Sequence, residues 1–190
     1  ELQSLFYEAY LDQISNDKVD LIHGTVVADI ITYLTGDVLI LPIKLKISSE
    51  GFGEKGFSWD LAIEAAVKQN ARIINMSVGT VDGHEELLLF FEKISKKYPD
   101  ILFVVGADND GINLNERYLG SLDLPNMILV GAIDPYRYNL ADYSNYGSNV
   151  VDVAADGSGE KIFNLNIPPG TSFAAPRVTG LAANIISLNP

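Results

Sequence analysis

Three consecutive stretches decide how this chain folds: Arg72-Ile-Ile-Asn-Met-Ser-Val78, Glu85-Glu-Leu-Leu-Leu-Phe-Phe-Glu-Lys-Ile-Ser-Lys-Lys97 and Asp100-Ile-Leu-Phe-Val-Val105. The first and third are short apolar runs of strand character. The second is amphipathic at helical spacing and is stopped by Tyr98-Pro99, since a residue before proline is pushed out of the helical region. A strand, a helix and a strand in that order form a crossover, which joins parallel strands.

Outward from this unit the alternation continues. Residues 59–69 read as a helix capped by Ser58, with Trp59, Ile63, Ala66 and Val67 on one face. Residues 24–33 read as a helix beginning near His23, and residues 5–14 as a short helix before a break at residues 15–18. Residues 37–47 contain Val-Leu-Ile-Leu-Pro-Ile and read as a buried strand, with Pro42 marking a bend. Residues 48–58 form a glycine-rich loop, and residues 112–126 are mostly loop. Strands are expected at 127–131 and 150–154, a hairpin or irregular excursion at 156–169, and a final helix at 172–188. The expected fold is three-layer α/β/α with a mainly parallel twisted sheet. No repeat or linker divides residues 1–190, so one domain is expected.

Bulk properties narrow the function. The formal net charge of −12 argues against a nucleic-acid binder and against attachment to anionic lipid. No apolar run reaches transmembrane length. With no cysteine, thiolate nucleophiles, thiolate metal sites and disulfides are excluded. High acidity favours a secreted or extracytoplasmic location. No glycine-rich loop follows a first strand with dinucleotide or phosphate-loop spacing, which removes a nucleotide-binding reading.

In a parallel sheet the active groups lie beyond the carboxyl ends of the strands. Three residues there are candidates for chemistry. Ser172, in Gly170-Thr-Ser-Phe-Ala-Ala-Pro176, opens the last helix, where free amides and the positive dipole end favour developing negative charge. Taken alone it also reads as an N-cap. His23 precedes Gly24-Thr25. The second histidine, His84, lies in an Asp-Gly-His-Glu-Glu helix entry and reads as a surface residue. Asn109, in Gly106-Ala-Asp-Asn-Asp-Gly111, can donate to an oxyanion or simply form a turn.

Together these segments resemble the subtilisin-like serine proteases, the subtilases. His23-Gly-Thr-Val-Val-Ala28 is similar to the family's histidine motif, and Gly170-Thr-Ser-Phe-Ala-Ala-Pro176 to its serine motif. Ile74-Asn-Met-Ser-Val-Gly79 resembles the strand lining the substrate cleft, and Asn109-Asp-Gly111 the oxyanion asparagine with its following glycine. Ser144-Asn-Tyr-Gly147 and Val151-Asp-Val-Ala154 resemble further family stretches. The resemblance implies a serine endopeptidase with Ser172 as nucleophile, His23 as general base and Asn109 in the oxyanion hole. It also implies that Ser77, Val78 and Gly79 bind an extended substrate, with Gly79, Ala107 and Asp108 flanking the first specificity pocket. Protein or peptide substrates follow, and a propeptide is a further partner in view. Calcium is common in the family, but no Asp-rich loop of defined spacing is present. Structural calcium therefore stays unassigned and no cofactor is called.

The pattern breaks at the third triad member. The family order is aspartate, histidine, serine, yet no apolar strand ending in Asp-Thr-Gly or Asp-Ser-Gly precedes His23, and Asp12, Asp17 and Asp20 do not fit the role. Glu1-Leu2 resembles the end of the His-Pro-Asp-Leu that follows the catalytic aspartate. The chain is thus expected to start just past that strand, to be N-terminally incomplete, and to be weak or inactive as it stands. The alternative is a pseudoenzyme that binds peptides or a protein partner. Val26 and Asp29 replace a usual histidine and glycine, Asp108 a glycine, and Asp156 a proline. From Asp108 a mild preference for a basic residue before the cut is expected.

Overall fold

The computed structural model describes residues 18–35, 38–43, 59–77, 84–116, 124–159, 161–162 and 165–188. Its elements in order are α1 (Lys18–Thr35), α2 (Trp59–Lys68), β1 (Ile73–Met76), α3 (His84–Lys97), β2 (Leu102–Gly106), a 3₁₀ turn (Leu114–Glu116), β3 (Met127–Asp134), β4 (Asn139–Leu140), β5 (Val153–Asp156), β6 (Lys161–Ile162), β7 (Leu165–Asn166) and α4 (Thr171–Leu188). The β1–α3–β2 unit is the crossover expected from sequence. β1 pairs parallel with β2, Met76 opposite Val105, and β2 parallel with β3, Gly106 opposite Val130. β5 joins β3 in parallel, while the short β4 returns antiparallel. The sheet is therefore mainly parallel, and the carboxyl ends of β1 and β2 lie side by side.

The period of two along each strand sorts the core. Phe103 and Val105 face a cluster with Ile63 of α2, Phe91 and Ile94 of α3, and Met127 and Leu129 of β3. Val104, Val130 and Ala132 face the other way, onto Ala174 and Ala175 of α4. α1 packs outside α4, where Val26 and Ile30 meet Phe173 and Ile167. The strands are thus apolar on both faces, as a sheet covered on both sides requires.

Two expectations need correction. Residues 38–43 form no strand, and Leu39 is 88% exposed with Leu41 and Ile43 also exposed. An apolar run becomes a strand only beside a neighbour that takes its backbone hydrogen bonds. None of the described residues supplies one, and Pro42 lacks a donor. The helix expected near His23 starts earlier, at Lys18, so His23 lies inside it rather than at its entry. The helix expected at 5–14 and the loop at 48–58 fall outside the described residues. The 156–169 excursion contains a small antiparallel hairpin, β6–β7.

The turn from α3 into β2 is held by one buried amide. Asn126 Nδ2 donates to Tyr98 O and Ile101 O, each at 2.9 Å, and Asn126 Oδ1 accepts from Ser95 Oγ. Replacing Asn126 by alanine takes this partner from Ile101 O and from the Ser95 hydroxyl, while Tyr98 O keeps the Ile101 amide at 3.1 Å; each buried group left unpaired costs about 1–3 kcal/mol. Asn126→Ala is expected to lower unfolding free energy by about 2–4 kcal/mol in urea titration; a change below about 0.5 kcal/mol, the range of a neutral surface substitution, would refute this account.

Candidate active site

α1 and α4 run side by side in the same direction. His23 in α1 lies against Phe173 of α4, ring centroids 5.3 Å apart. Eleven residues further along each helix, Asn184 Nδ2 donates to Leu34 O at 3.0 Å, across a separation of 150 positions. His23 and Phe173 are separated by the same interval, so the helices stay in step and are parallel. A Cβ on Gly180 would stand 3.0 Å from Leu34 Cβ, which shows how closely they approach. This geometry carries half-buried His23 to the residue next to half-buried Ser172, at the N-terminal end of α4.

That end descends onto the carboxyl end of β2. A Cβ on Gly106 would meet Thr171 Oγ1 at 3.1 Å, so glycine there sets the approach. Asn109, three residues on, turns its side chain to the helix start: Oδ1 accepts from the Thr171 amide at 2.8 Å. One of the orphan helix amides is thereby satisfied. With Oδ1 so engaged, Nδ2 is left as the donor. The Ser172 amide has no acceptor among the described residues. Through the Oδ1 bond the loop carrying Asn109 is tied to the residue before Ser172.

Ser77, beyond the end of β1, completes this side. Its Oγ donates to Ser172 O at 2.7 Å, and its carbonyl lies 3.5 Å from Ser172 Oγ. Ala107 is buried and Asp108 half-buried, both beside Asn109 in the chain. Val78 and Gly79 lie outside the described residues, and so does the side chain of His84. Sequence reading missed the supports of this arrangement. Asn145, 1% exposed, accepts at Oδ1 from the amides of Asp110 and Ile112, at 3.0 and 3.1 Å, and its own amide donates to Asp108 O. It thus holds the loop that carries Asn109. The stretch Ser144-Asn-Tyr-Gly147 was the available signal, but nothing local says where its asparagine points.

Two sequence departures find physical partners and a third takes an unusual backbone conformation. Val26 is buried among Ile30, Ile167 and Phe173, so an apolar group suits it. Asp156 Oδ2 lies 3.4 Å from Arg177 Nη2, and its Oδ1 accepts from the Ser158 amide at 2.8 Å. Arg177 Nη1 also donates to Phe173 O at 2.8 Å, linking β5 to the first turns of α4. Asp108 takes φ +77°, the left-handed region that favours glycine.

With this geometry in place, the comparisons with known proteins are direct. The sequence model of the Subtilase family matches residues 7–190. The chain belongs to that family. It is 31% identical over 185 residues to subtilisin amylosacchariticus of Bacillus subtilis subsp. amylosacchariticus, covering 88% of this chain and 46% of that protein. It is 30% identical over 184 residues to a thermostable alkaline protease of Halalkalibacterium halodurans, covering 88% of this chain and 48% of that one. Among solved structures, the prenylagaramide maturation protease PagA is 29% identical with a TM-score of 0.52, covering 75% of this chain and 54% of that one. The chain spans about half the length of the curated relatives it matches.

Two predictions follow from the site's surroundings. A non-glycine residue in the left-handed region costs about 1–2 kcal/mol, partly offset by the added freedom of glycine in the unfolded chain. Asp108→Gly is expected to raise unfolding free energy by about 0.5–1 kcal/mol; a lower urea midpoint would count against strain at this position. Tyr143, whose hydroxyl donates to Gly157 O at 3.1 Å, has its pKa raised, first by burial and then by the charges of Asp156 and Asp134. A phenol with a raised folded pKa contributes stability that is complete below the unfolded value and lost as pH climbs through the folded one. Stability should therefore fall above about pH 10, and Tyr143→Phe should flatten that part of the pH profile.

Proposed function

We propose that this domain is the catalytic part of a serine endopeptidase acting by acyl transfer. The observation that supports the reading is the hydrogen bond from the Thr171 amide to Asn109 Oδ1, which ties Asn109 to the residue before Ser172. In the proposed reaction Ser172 Oγ attacks the scissile carbonyl. His23 takes the hydroxyl proton and returns it to the leaving amine. Asn109 Nδ2 and the Ser172 amide hold the oxyanion. An extended substrate pairs with backbone groups of residues 77–79, in the manner of an added strand. The substrates are proteins or peptides, and a propeptide fits the same cleft. Acidic charge and the subtilisin relatives favour an extracytoplasmic setting. Among the described residues no helix is long and apolar enough to cross a membrane.

A second reading keeps the subtilase fold without the chemistry. It holds that the domain binds peptides without cutting them. The orienting aspartate keeps the imidazole in its working tautomer, and its alteration costs about 10⁴ in turnover in a well-known serine protease of another fold.

The discriminating experiment is labelling with a biotinylated fluorophosphonate, followed by peptide mapping. The enzyme reading expects one label on Ser172, none in Ser172→Ala, and strongly slowed labelling in His23→Ala. Asn109→Ala should lose about 10²–10³ in turnover, the scale established for such an asparagine in subtilisin. A wild-type chain that takes up no label but retains a bound peptide on size exclusion favours the binding reading. If Asp108 lines the first pocket, the ratio of kcat/KM for Arg against Leu before the cut should fall in Asp108→Ala; an unchanged ratio ends that assignment.

A further inference from the structure

Pro176 stands inside α4, one turn after Ser172. In an α-helix the amide of residue 176 would donate to the carbonyl of residue 172, but proline has no N–H. Ser172 O therefore lacks its helical partner. An acceptor in this half-buried position needs another donor, because leaving it empty is costly. The donor comes from outside the helix: Ser77 Oγ reaches Ser172 O at 2.7 Å.

Ser77 is itself held. Asn75 Nδ2 donates to Ser77 Oγ at 2.8 Å, which leaves the Ser77 proton for Ser172 O. Asn75 Oδ1 in turn accepts from Thr179 Oγ1 at 2.8 Å. Ser77 and Thr179 are both buried, and Asn75 is partly buried. The chain Thr179–Asn75–Ser77–Ser172 runs from α4 through the end of β1 and back to α4. Each group donates to the next, so the chain has one direction, from Thr179 to Ser172 O. It pins the backbone of Ser172 to the strand whose end is proposed to hold the substrate.

We propose that Ser77 is a positioning residue for Ser172, its hydroxyl standing in for the helix amide that Pro176 cannot supply, with Asn75 and Thr179 fixing its direction. The role rests on the hydrolase reading for its catalytic consequence, but the bond itself does not. Position matters because a nucleophile misplaced by about 1 Å loses on the order of 100-fold in rate. The 3.5 Å from Ser172 Oγ to Ser77 O is the dimension this pin sets, since both groups belong to the two residues it joins.

The test is built on substituting the donor and then restoring it from the helix. Full-length wild type, Ser77→Ala, Ser77→Thr, Pro176→Ala and the Ser77→Ala/Pro176→Ala pair are compared in two assays. One is the second-order rate of fluorophosphonate labelling, and the other is the urea midpoint. Ser77→Ala should slow labelling roughly 10- to 100-fold. Ser77→Thr, which keeps a hydroxyl, should label close to the wild-type rate. In the double variant residue 176 regains an N–H that donates to Ser172 O, so most of the lost rate should return. A purely structural serine would not be rescued by a new amide on another element. Equal rates for Ser77→Ala and wild type, or a double variant no faster than Ser77→Ala, overturn the proposal. If wild type takes no label, the hydrolase reading alone falls and the denaturation cycle decides. Losses for Ser77→Ala that shrink in the Pro176→Ala background support the bond, and additive losses overturn it.

Discussion

The approach of the N-terminus of α4 to the carboxyl ends of β1 and β2 is the constraint on which the site depends. A helix start carries amides with no partner within the helix and a partial positive charge. Bringing it against a sheet edge requires small residues at the contact and acceptors at the right places. Gly106 supplies the first, since a side chain there would crowd Thr171. Asn109 supplies one acceptor, to the Thr171 amide. Ala174 and Ala175, fully buried against Val104 and Val130, let the next turn lie close on the sheet. The Ser172 amide remains as a donor at the one point where all these elements meet.

Pro176 is part of the same arrangement and its most expensive member. Its fixed φ suits an early helical turn, but it leaves Ser172 O without an internal partner. The cost is recovered across the fold, through Ser77, Asn75 and Thr179. A local irregularity in α4 thus becomes a tie between the helix and β1. Arg177 makes a similar tie to β5 through Asp156. The first turns of α4 are therefore fixed to both sides of the sheet, while parallel packing of α1 fixes the flank that carries His23.

Departures from the family pattern divide by environment. Val26 lies in an apolar contact, and a valine there contributes burial in place of a polar group. Asp156 gains an arginine partner and an amide. Asp108 is different, because its backbone sits where glycine is favoured whatever its side chain contacts. A strained conformation beside a proposed oxyanion donor is maintained by the surroundings: Asp108 O accepts from the buried Asn145, which also holds the two amides beyond it.

The sequence by itself determined the parallel β1–α3–β2 crossover, the two-sided apolar strands and the last helix, and it singled out His23, Asn109 and Ser172 as candidates. These rest on short-range features: the period of apolar residues, helix stops before proline, and small polar motifs at element ends. Only the tertiary structure decided which groups meet. Thr171 and Asn109 are 62 positions apart, Ser77 and Ser172 95, and Asn75 and Thr179 104. No local pattern encodes the direction of a side chain toward so distant a partner. The same reason explains the misread run at residues 38–43. Its apolar sequence is strand-like, but a strand is completed by hydrogen bonds to a neighbour, and that neighbour is a property of the assembled sheet rather than of the run itself.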